Sequence, residues 1–463
     1  MPRLSFLLAG ATLAFASPAL AQPAAPAAPD GQKTAAATAT ILPAPEPAFA
    51  GRIMPTANAS TAAFQPKPRA PAGAPNILLV MTDDVGFAGA STFGGMIPTR
   101  ALDRLAAAGI TYNNHNTTAM CSPSRAALLT GRNAHVAGTG ALSDIATGFP
   151  GYQGEIPKNT ATIAEILKQN GYSTAFFGKH HNVPLSEITT AGPFGSWPVG
   201  LGFEYFYGFV ASQTDMWTPI LYRGTARVKA PRGEHLDKLL IDDAIKWVHN
   251  QKAAAPDKPF FVYLAPGTAH APLQAPAEWI ARFRGQFDGG WDALRERIFA
   301  NQKARGIIPR STVLTARPDF VPAWDSLSSE QRRTAARFME VFAAQLAYQD
   351  DQFGRLMDEL DRMGESDNTL VVFIEGDNGA SSEGGPNGTT NDFGYLLNGP
   401  QETDDWRASQ VDALGGPDSH AHYPMGWAWA MNTPFRYFKR YASHLGGIRN
   451  GMVVSWPVDF LPS

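Results

Sequence analysis

From residue 76 onward, short apolar runs alternate with longer stretches of helical periodicity, and this alternation constrains the fold more than any other feature. Five runs have the length and continuity of strands buried on both faces, as in a parallel sheet covered by helices. These runs span residues 76–81, 173–177, 259–264, 370–374 and 452–456. Helical patterns span residues 162–170, 236–250 and 329–363. The pattern predicts an α/β fold with a largely parallel central β-sheet flanked by helices.

The composition excludes three classes of protein. The 463 residues are 44% hydrophobic with a formal net charge of −3, which is too apolar and too neutral for a disordered chain. A single cysteine, Cys121, rules out an internal disulfide framework. The near-neutral charge gives no electrostatic footprint for nucleic acid, so we expect no nucleic-acid partner.

The N-terminus is typical of an export signal. Arg3 precedes an apolar run, and Ala19-Leu20-Ala21 follows as a cleavage motif. We predict a signal peptide over residues 1–21, an Ala/Pro-rich flexible linker over 22–73 and a folded domain over 74–463. A buried N-terminal helix or a retained anchor is the alternative for the first segment. Since no stretch is long and apolar enough to span a bilayer, we expect an exported, periplasmic bacterial protein without a transmembrane segment.

Polar side chains follow four of the apolar runs. The carboxyl ends of parallel strands meet at one edge of an open α/β sheet, where ligands bind. The oxygen donors at these positions are Asp83, Asp84, Asp377 and Asn378. Such donors suit Ca²⁺, with Mg²⁺ as the alternative ion, and no His/Cys cluster has the spacing of a zinc site. Each pair alone is more typical of a turn or a helix cap, so the metal hypothesis depends on both pairs together.

A second set of side chains carries positive charge or can move a proton. Its members are Lys179, His181, His270 and Lys439. Together they suit an anionic substrate whose leaving group needs a proton. Each one alone is more often a solvated lysine or a hydrogen-bonded structural histidine. The residue pattern itself does not decide between His181 and its neighbour His180.

Cys121 is predicted to lie at the start of a helix. Pro123 suits the first turn and Gly131 the end of that helix, so backbone amides would favour an anion near the thiol. Arg125 follows one turn later, on the same side. These positions suit a nucleophile with a cationic partner, whereas a lone cysteine is more often buried and inert. An exposed thiol is also a liability in an oxidising compartment, which hints that the residue is not left as cysteine.

The segment Cys121-Ser122-Pro123-Ser124-Arg125 resembles the C-x-P-x-R signature of type I sulfatases. Further similarity covers residues 76–86, 129–132, 178–182, 375–380 and 443–449, and residues 422–430 resemble bacterial arylsulfatases in particular. The resemblance implies an alkaline-phosphatase-like fold and an arylsulfatase that hydrolyses small sulfate esters. It also implies that a maturation enzyme converts Cys121 to Cα-formylglycine.

The resemblance assigns roles to the candidate residues. The ligands it implies for Ca²⁺ are Asp83, Asp84, Asp377, Asn378 and the modified Cys121. One hydroxyl of the aldehyde hydrate would attack the sulfur, Arg125 would hold that hydrate, and the second hydroxyl would later expel sulfate. The K-x-H pattern selects His181 over His180, so that Lys179 and His181 would contact the formylglycine and the sulfate. His270 and Lys439 would bind sulfate near the ester oxygen, with His270 preferred as proton donor to the leaving alcohol.

Two departures from the family pattern leave alternatives open. Leu445 stands where many sulfatases have Glu before the paired glycines, a departure that bears on the role assigned to Lys439. The sequence ends at Ser463, where the family normally continues into a smaller subdomain, so we expect a catalytic domain truncated at its C-terminus. The alternatives are a phosphonate monoester or phosphodiester hydrolase of the same superfamily, and a truncated, non-catalytic anion-binding relative.

Overall fold

The computed structural model describes residues 48–64, 67–397 and 399–457. The strands are β1 Asn76–Met81, β2 Ile110–Asn116, β3 Ser173–Lys179, β4 Tyr205–Phe209, β5 Leu221–Arg223, β6 Ala226–Val228, β7 Phe260–Ala265, β8 Thr369–Glu375 and β9 Arg449–Ser455. The helices are α1 Arg100–Ala107, α2 Cys121–Thr130, α3 Ile163–Gln169, α4 Leu236–Ala254, α5 Ala277–Arg282, α6 Gly290–Ala304, α7 Ser329–Met363, α8 Asp392–Leu396, α9 Asp404–Ser409, α10 Met425–Met431 and α11 Leu445–Ile448. All five predicted strands and all three predicted helices are present, with boundary shifts of a few residues.

Within the described residues, nine strands form one sheet in the order β2-β9-β8-β1-β7-β3-β4-β5-β6. The central strands β8, β1, β7, β3 and β4 are parallel to one another. Both edges are antiparallel, with β9 and β2 on one side and β5 and β6 on the other. The predicted α/β fold is confirmed, and its parallel character belongs to the centre of the sheet.

The apolar runs are continuous because helices cover both faces of the sheet. Alternate residues of a strand point to opposite faces, so Leu78 and Val80 pack with residues of α1, α4 and α7. Leu79 and Met81 pack on the other face, with residues of α2 and α3. A third apolar cluster joins α5, α6, α7 and α10. Burial on both faces leaves the strand ends as the place where polar groups gather.

Helices α7 and α2 have clear start and stop signals. Helix α7 begins with a capping box between Ser328 and Gln331, and it ends at Gly364 in the left-handed conformation. Helix α2 begins at Cys121 and ends at Gly131, which is also left-handed. Cys121 therefore lies on the first turn of a helix, as predicted.

The chain divides into two units, residues 1–66 and 67–463. In the first unit, the described residues 48–64 form a short 3₁₀ turn at Ala57–Ala59 and a bridge between Arg52 and Thr61. The predicted signal peptide over 1–21 lies outside the described residues, as does the predicted linker as far as residue 47. Among the described residues, no helix is long and apolar enough to cross a membrane.

Candidate active site

A buried cluster of carboxylates lies where β1 and β8 end. These strands are parallel neighbours with Met81 opposite Ile374, so the residues that follow them meet at the same edge. One ligand atom from each of four residues lies within 4.8 Å of the others, and those residues are Asp83, Asp84, Cys121 and Asp377. All four side chains are buried. The structure thus brings the predicted oxygen donors and the cysteine into one cluster.

Arg125 links the cysteine helix to this cluster. Its Nε donates to Asp377 Oδ2 at 2.8 Å, and Nη2 lies 2.7 Å from the same oxygen. Nη1 donates to the carbonyl oxygen of Lys179 at 3.1 Å. The planar guanidinium therefore fixes α2 against the ends of β3 and β8 at once.

Lys179 and Asp83 form a second buried pair. Lys179 Nζ lies 2.5 Å from Asp83 Oδ2, and both side chains are fully buried. Asp83 is also held through its backbone, since its N–H donates to Thr268 and its carbonyl accepts from Ala269. The ends of β1, β3 and β7 are thereby joined.

Asp84 and Asn378 face each other across the cluster. Asn378 Nδ2 donates to Asp84 Oδ1 at 2.5 Å, and Asp84 adopts a left-handed backbone with φ of 55°. Aspartate tolerates this conformation better than most residues, and such outliers concentrate at functional sites. Among the described residues, Asp83 Oδ1 and Asn378 Oδ1 have no hydrogen-bond partner although both are buried.

Lys439 lies between two carboxylates. Its Nζ donates to Asp84 Oδ2 at 2.9 Å and to Glu383 Oε2 at 3.0 Å. His270 Nε2 lies 3.5 Å from the same ammonium and 3.6 Å from Asp84 Oδ2. His270 Nδ1 faces the carbonyl oxygen of Ala271 at 2.8 Å, and since a carbonyl only accepts, Nδ1 carries the proton of the neutral ring.

The two adjacent histidines have different surroundings. His181 Nε2 pairs with Asp144 Oδ2 at 3.1 Å, and its backbone is left-handed with φ of 54°. His180 Nε2 instead faces the carbonyl oxygen of Ser196 at 2.9 Å, and its ring packs edge-on against Phe176. His180 is thus part of the core on this side of the sheet, whereas His181 is tied to a partly exposed carboxylate.

Burial governs the ionisation of the acidic groups. Burial and the charge of Asp377 raise the pKa of Asp83 to about 8. Burial also raises the pKa of Asp377, but the charges of Arg125 and Lys179 outweigh it and leave that pKa below the usual value. Burial raises the pKa of the Cys121 thiol well above its usual range. The thiol therefore stays protonated at neutral pH, and the thiolate is not the resting form.

The basic groups respond differently. Burial, with the charge of Lys179 adding to it, lowers the pKa of His270 to about 3. Burial would lower the pKa of Lys439, but Asp84 and its other anionic neighbours raise it well above the usual value. At neutral pH the described residues therefore present a neutral His270 beside a charged Lys439.

Sequence reasoning missed two side chains that contact the predicted set, and a third that is linked to it through Ser381. Glu383 pairs with Lys439, Asp144 pairs with His181, and His422 Nε2 lies 3.1 Å from Ser381 Oγ, which donates to Glu383. Glu383 lies six residues after Asp377 in the same loop, and this short separation was the sequence feature that could have pointed to it. Asp144 had no local signal, because it comes from a different loop.

The fold and the site together define a class of protein. A buried cluster of carboxylates and permanent cations at the carboxyl edge of a parallel sheet suits a divalent cation and a small tetrahedral anion. Comparison with known proteins gives the family. A family model of sulfatases matches residues 75–462, so the chain belongs to the sulfatase family and is a sulfuric ester hydrolase.

Two relatives and one solved structure illustrate the family. The arylsulfatase of Klebsiella aerogenes is 32% identical over 399 residues, covering 83% of this chain and 81% of that protein. An uncharacterized sulfatase of Schizosaccharomyces pombe is 32% identical over 401 residues, covering 83% of this chain and 70% of that protein. The crystal structure of yidJ from Bacteroides fragilis, assigned as a sulfatase, has a TM-score of 0.55 at 18% identity and covers 86% of this chain and 71% of that one. This last likeness supports the alkaline-phosphatase-like fold.

Proposed function

We propose that this sulfuric ester hydrolase is an arylsulfatase that acts on small sulfate esters through a formylglycine made from Cys121 and a bound Ca²⁺. The observation that carries the proposal is the position of the Cys121 thiol. It lies at the start of α2, within 4.8 Å of carboxylate oxygens from Asp83, Asp84 and Asp377. A metal-bound nucleophile needs that proximity.

The donor set fits a calcium ion. Ca²⁺ prefers carboxylate and carbonyl oxygens, and the residues that would hold it are Asp83, Asp84, Asp377 and Asn378. The buried, unpartnered oxygens Asp83 Oδ1 and Asn378 Oδ1 are available as ligands within the described residues. Burial first and the charge of Asp377 second raise the pKa of Asp83, and a divalent cation bound to its carboxylate would favour the ionised form.

Charge balance supports the same assignment. Among the described residues of the site, four carboxylates face the three permanent cations Arg125, Lys179 and Lys439. With all four carboxylates ionised the site carries one excess negative charge, which a proton on Asp83 offsets at neutral pH when no ion is bound. Neither state attracts a sulfate ester, which is a monoanion. A dication reverses the sign of that excess and makes the site attractive to the substrate.

The protonated thiol supports conversion of Cys121 to an aldehyde by a maturation enzyme. The aldehyde hydrate supplies an oxygen nucleophile at this position. Arg125 and Lys179 would orient it and the sulfate group from the side of α2 and β3, with His181 beyond them. We keep His270 as the proton donor to the leaving alcohol. Since the neutral ring carries its proton on Nδ1, Nε2 would take up a proton from Lys439 Nζ, 3.5 Å away, and pass it to the ester oxygen.

The remaining proposals concern location and domain limits. We infer export to a bacterial periplasm from the signal-like residues 1–21, and we keep the linker over 22–73 and the catalytic domain over 74–463 as proposals. Secretion of the full-length protein with loss of its first 21 residues would test the signal.

The proposed function predicts metal-dependent turnover of aryl sulfates. Purified protein should release sulfate from an aryl sulfate, lose that activity in a chelator and regain it with Ca²⁺. Cys121→Ala should abolish turnover, whereas Ala127→Ser, on the same helix but outside the segments that resemble the family, should retain it. Mass spectrometry of the peptide spanning residues 120–125 should detect the aldehyde residue.

Side-by-side assays separate the proposal from its main alternative. Faster turnover of an aryl phosphodiester or phosphonate monoester than of the matching aryl sulfate would contradict the substrate assignment. An active enzyme containing only unmodified cysteine would contradict the nucleophile.

A further inference from the structure

Glu383 contacts the predicted site but belongs to none of the motifs that the sequence suggested. Its Oε2 accepts from Lys439 Nζ at 3.0 Å and from Ser381 Oγ at 3.0 Å. The Ser381 hydroxyl in turn lies 3.1 Å from His422 Nε2. The carboxylate is mostly buried, with 16% of its side chain exposed. The Ser381 hydroxyl thus holds the Glu383 carboxylate in place beside the Lys439 ammonium.

Lys439 is shared between Glu383 and the proposed metal ligand Asp84. The two carboxylate oxygens lie 3.0 and 2.9 Å from the same ammonium nitrogen. Oxygen and nitrogen atoms of Asp84, His270 and Glu383 come within 4.8 Å of one another, which is the arrangement of a small cation site. The ammonium of Lys439 lies at contact distance from all three groups, so a fixed cation from the chain already fills that position.

The sharing has a consequence for the neighbouring ion. If Asp84 were the only carboxylate paired with Lys439, the full charge of the ammonium would act on Asp84. That charge would also repel a dication bound to the other side of Asp84. A second carboxylate takes part of that charge and leaves Asp84 able to serve the ion. The same second carboxylate reduces the pull of Lys439 on an anion in the site.

We propose that Glu383 is a positioning residue that holds Lys439 and sets the balance between binding of the cation and binding of the sulfate group. This role rests on the proposed function, since it needs Asp84 to be a calcium ligand. It predicts that removal of the Glu383 charge changes the two affinities in opposite directions. A side chain needed only for folding would weaken both.

The test is Glu383→Gln, which keeps the size and one acceptor oxygen but removes the charge. Calcium binding to the purified protein, measured by calorimetry, should weaken about tenfold, the size of a modest coupling between two bound charges. Inorganic sulfate, measured as a competitive inhibitor, should bind more tightly by a similar factor. The kcat should fall while KM falls or stays the same, because Lys439 is displaced toward Asp84.

Two further variants keep the result interpretable. Glu296→Gln, on an exposed turn of α6, should change neither affinity. Glu383→Asp keeps the charge on a shorter side chain and should shift both affinities in the same directions by a smaller factor, which serves if the Gln variant does not fold.

Parallel weakening of calcium and sulfate binding, or no change in either, would overturn the role of Glu383 while leaving the proposed function intact. A wild-type protein that binds no Ca²⁺ in the same calorimetry would overturn the proposed function and this role with it.

Discussion

Arg125 connects three elements of the site, because it lies on α2 and contacts residues of β3 and of the segment after β8. It is fully buried, it contacts Asp377 with two nitrogens, and it holds the backbone of Lys179 with a third. Burying a guanidinium is unfavourable unless its donors are satisfied, so the residue depends on this arrangement as much as the arrangement depends on it.

Arg125→Lys tests this dependence. Lysine keeps the charge but replaces the planar fork by a single point donor, so the contacts to Asp377 and Lys179 cannot all be kept. We expect the free energy of unfolding to fall by about 1–3 kcal/mol, the cost of unsatisfied buried partners. Turnover of an aryl sulfate should fall by about 100-fold or more, because α2 is no longer held in position against Asp377 and Lys179.

Urea denaturation and steady-state kinetics measure both effects. Arg436→Lys, at an exposed position, is the matched control and should leave both quantities unchanged. Wild-type turnover in Arg125→Lys would show that the fork has no part in placing the nucleophile.

At the scale of elements, two segments of the chain pack tightly against each other and together supply several of the site residues. The segment after β8 carries Asp377, Asn378 and Glu383, and the segment before α11 carries Lys439. Gly379 N–H donates to the carbonyl of Gly447, and Lys439 N–H donates to that of Ala380. A Cβ on Gly379 would lie 1.8 Å from the carbonyl oxygen of Gly446, so the backbones touch with no room for a side chain.

Gly379→Ala should therefore separate the two segments. Relief of the overlap requires a backbone shift, which typically costs about 1–3 kcal/mol in stability. Because Lys439 and Asn378 move apart in the same shift, we expect turnover to fall more than stability alone explains. Thermal unfolding and kcat/KM give the two readouts.

Gly289→Ala provides the comparison, because the nearest atom to its added Cβ is 4.0 Å away. It should alter stability by less than about 0.5 kcal/mol. Equal effects of Gly379→Ala and Gly289→Ala would contradict the close packing of the two segments at Gly379.

The sequence predicted five strands that carry apolar runs, and it missed both a polar edge strand and the short buried run of β4. Strand β2 is polar and exposed along most of its length, so it has no hydrophobic pattern and forms through pairing with β9. The run over 452–456 indicated a strand but not its antiparallel direction, because direction depends on the connection and not on the pattern. Edge pairings of this kind are decided by tertiary contacts.

The same distinction applies to the site. Strand-end residues such as Asp83 and Asp377 could be named from the sequence, because parallel strands deliver their ends to one edge. Glu383 and Asp144 could not, because their relation to Lys439 and His181 exists only after loops from distant parts of the chain meet. Their roles, like those of the predicted site residues, stay predictions until the variants are measured.

At the scale of the whole molecule, buried acids outside the site govern how stability depends on pH. Asp350 of α7 accepts from the backbone N–H groups of Ala101 and Leu102, and burial raises its pKa to about 7. Burial likewise raises the pKa of Asp237, on α4, to about 7. Both acids are protonated in the native state at a pH where the unfolded chain has already lost the proton.

The sign of the effect follows from proton counting. The unfolded groups titrate near 3.8, so between about pH 4 and 7 the native state binds more protons and the free energy of unfolding falls as pH rises. A shift of this size corresponds to a loss on the order of 4 kcal/mol for each group across this window. Asp350→Asn removes one titrating group and should flatten the dependence.

Urea denaturation at a series of pH values, with Ca²⁺ in excess, measures the slope. Asp257→Asn, at an exposed position, should reproduce the wild-type slope. A slope in Asp350→Asn equal to that of the wild type would show that Asp350 is ionised in the folded protein.

The burial of Cys121 has a consequence for the order of events during synthesis. The side chain is 1% exposed, and the residues that enclose it include Asp377 and Lys439, which leave the ribosome long after it. The pairing of Lys439 with Asp84 spans 355 positions and forms only when nearly the whole domain has folded. On the proposed conversion of Cys121 to formylglycine, the maturation enzyme must reach the cysteine before that late segment docks. The time between translation of residue 121 and docking of residues 377–439 would then limit how much of the protein becomes active.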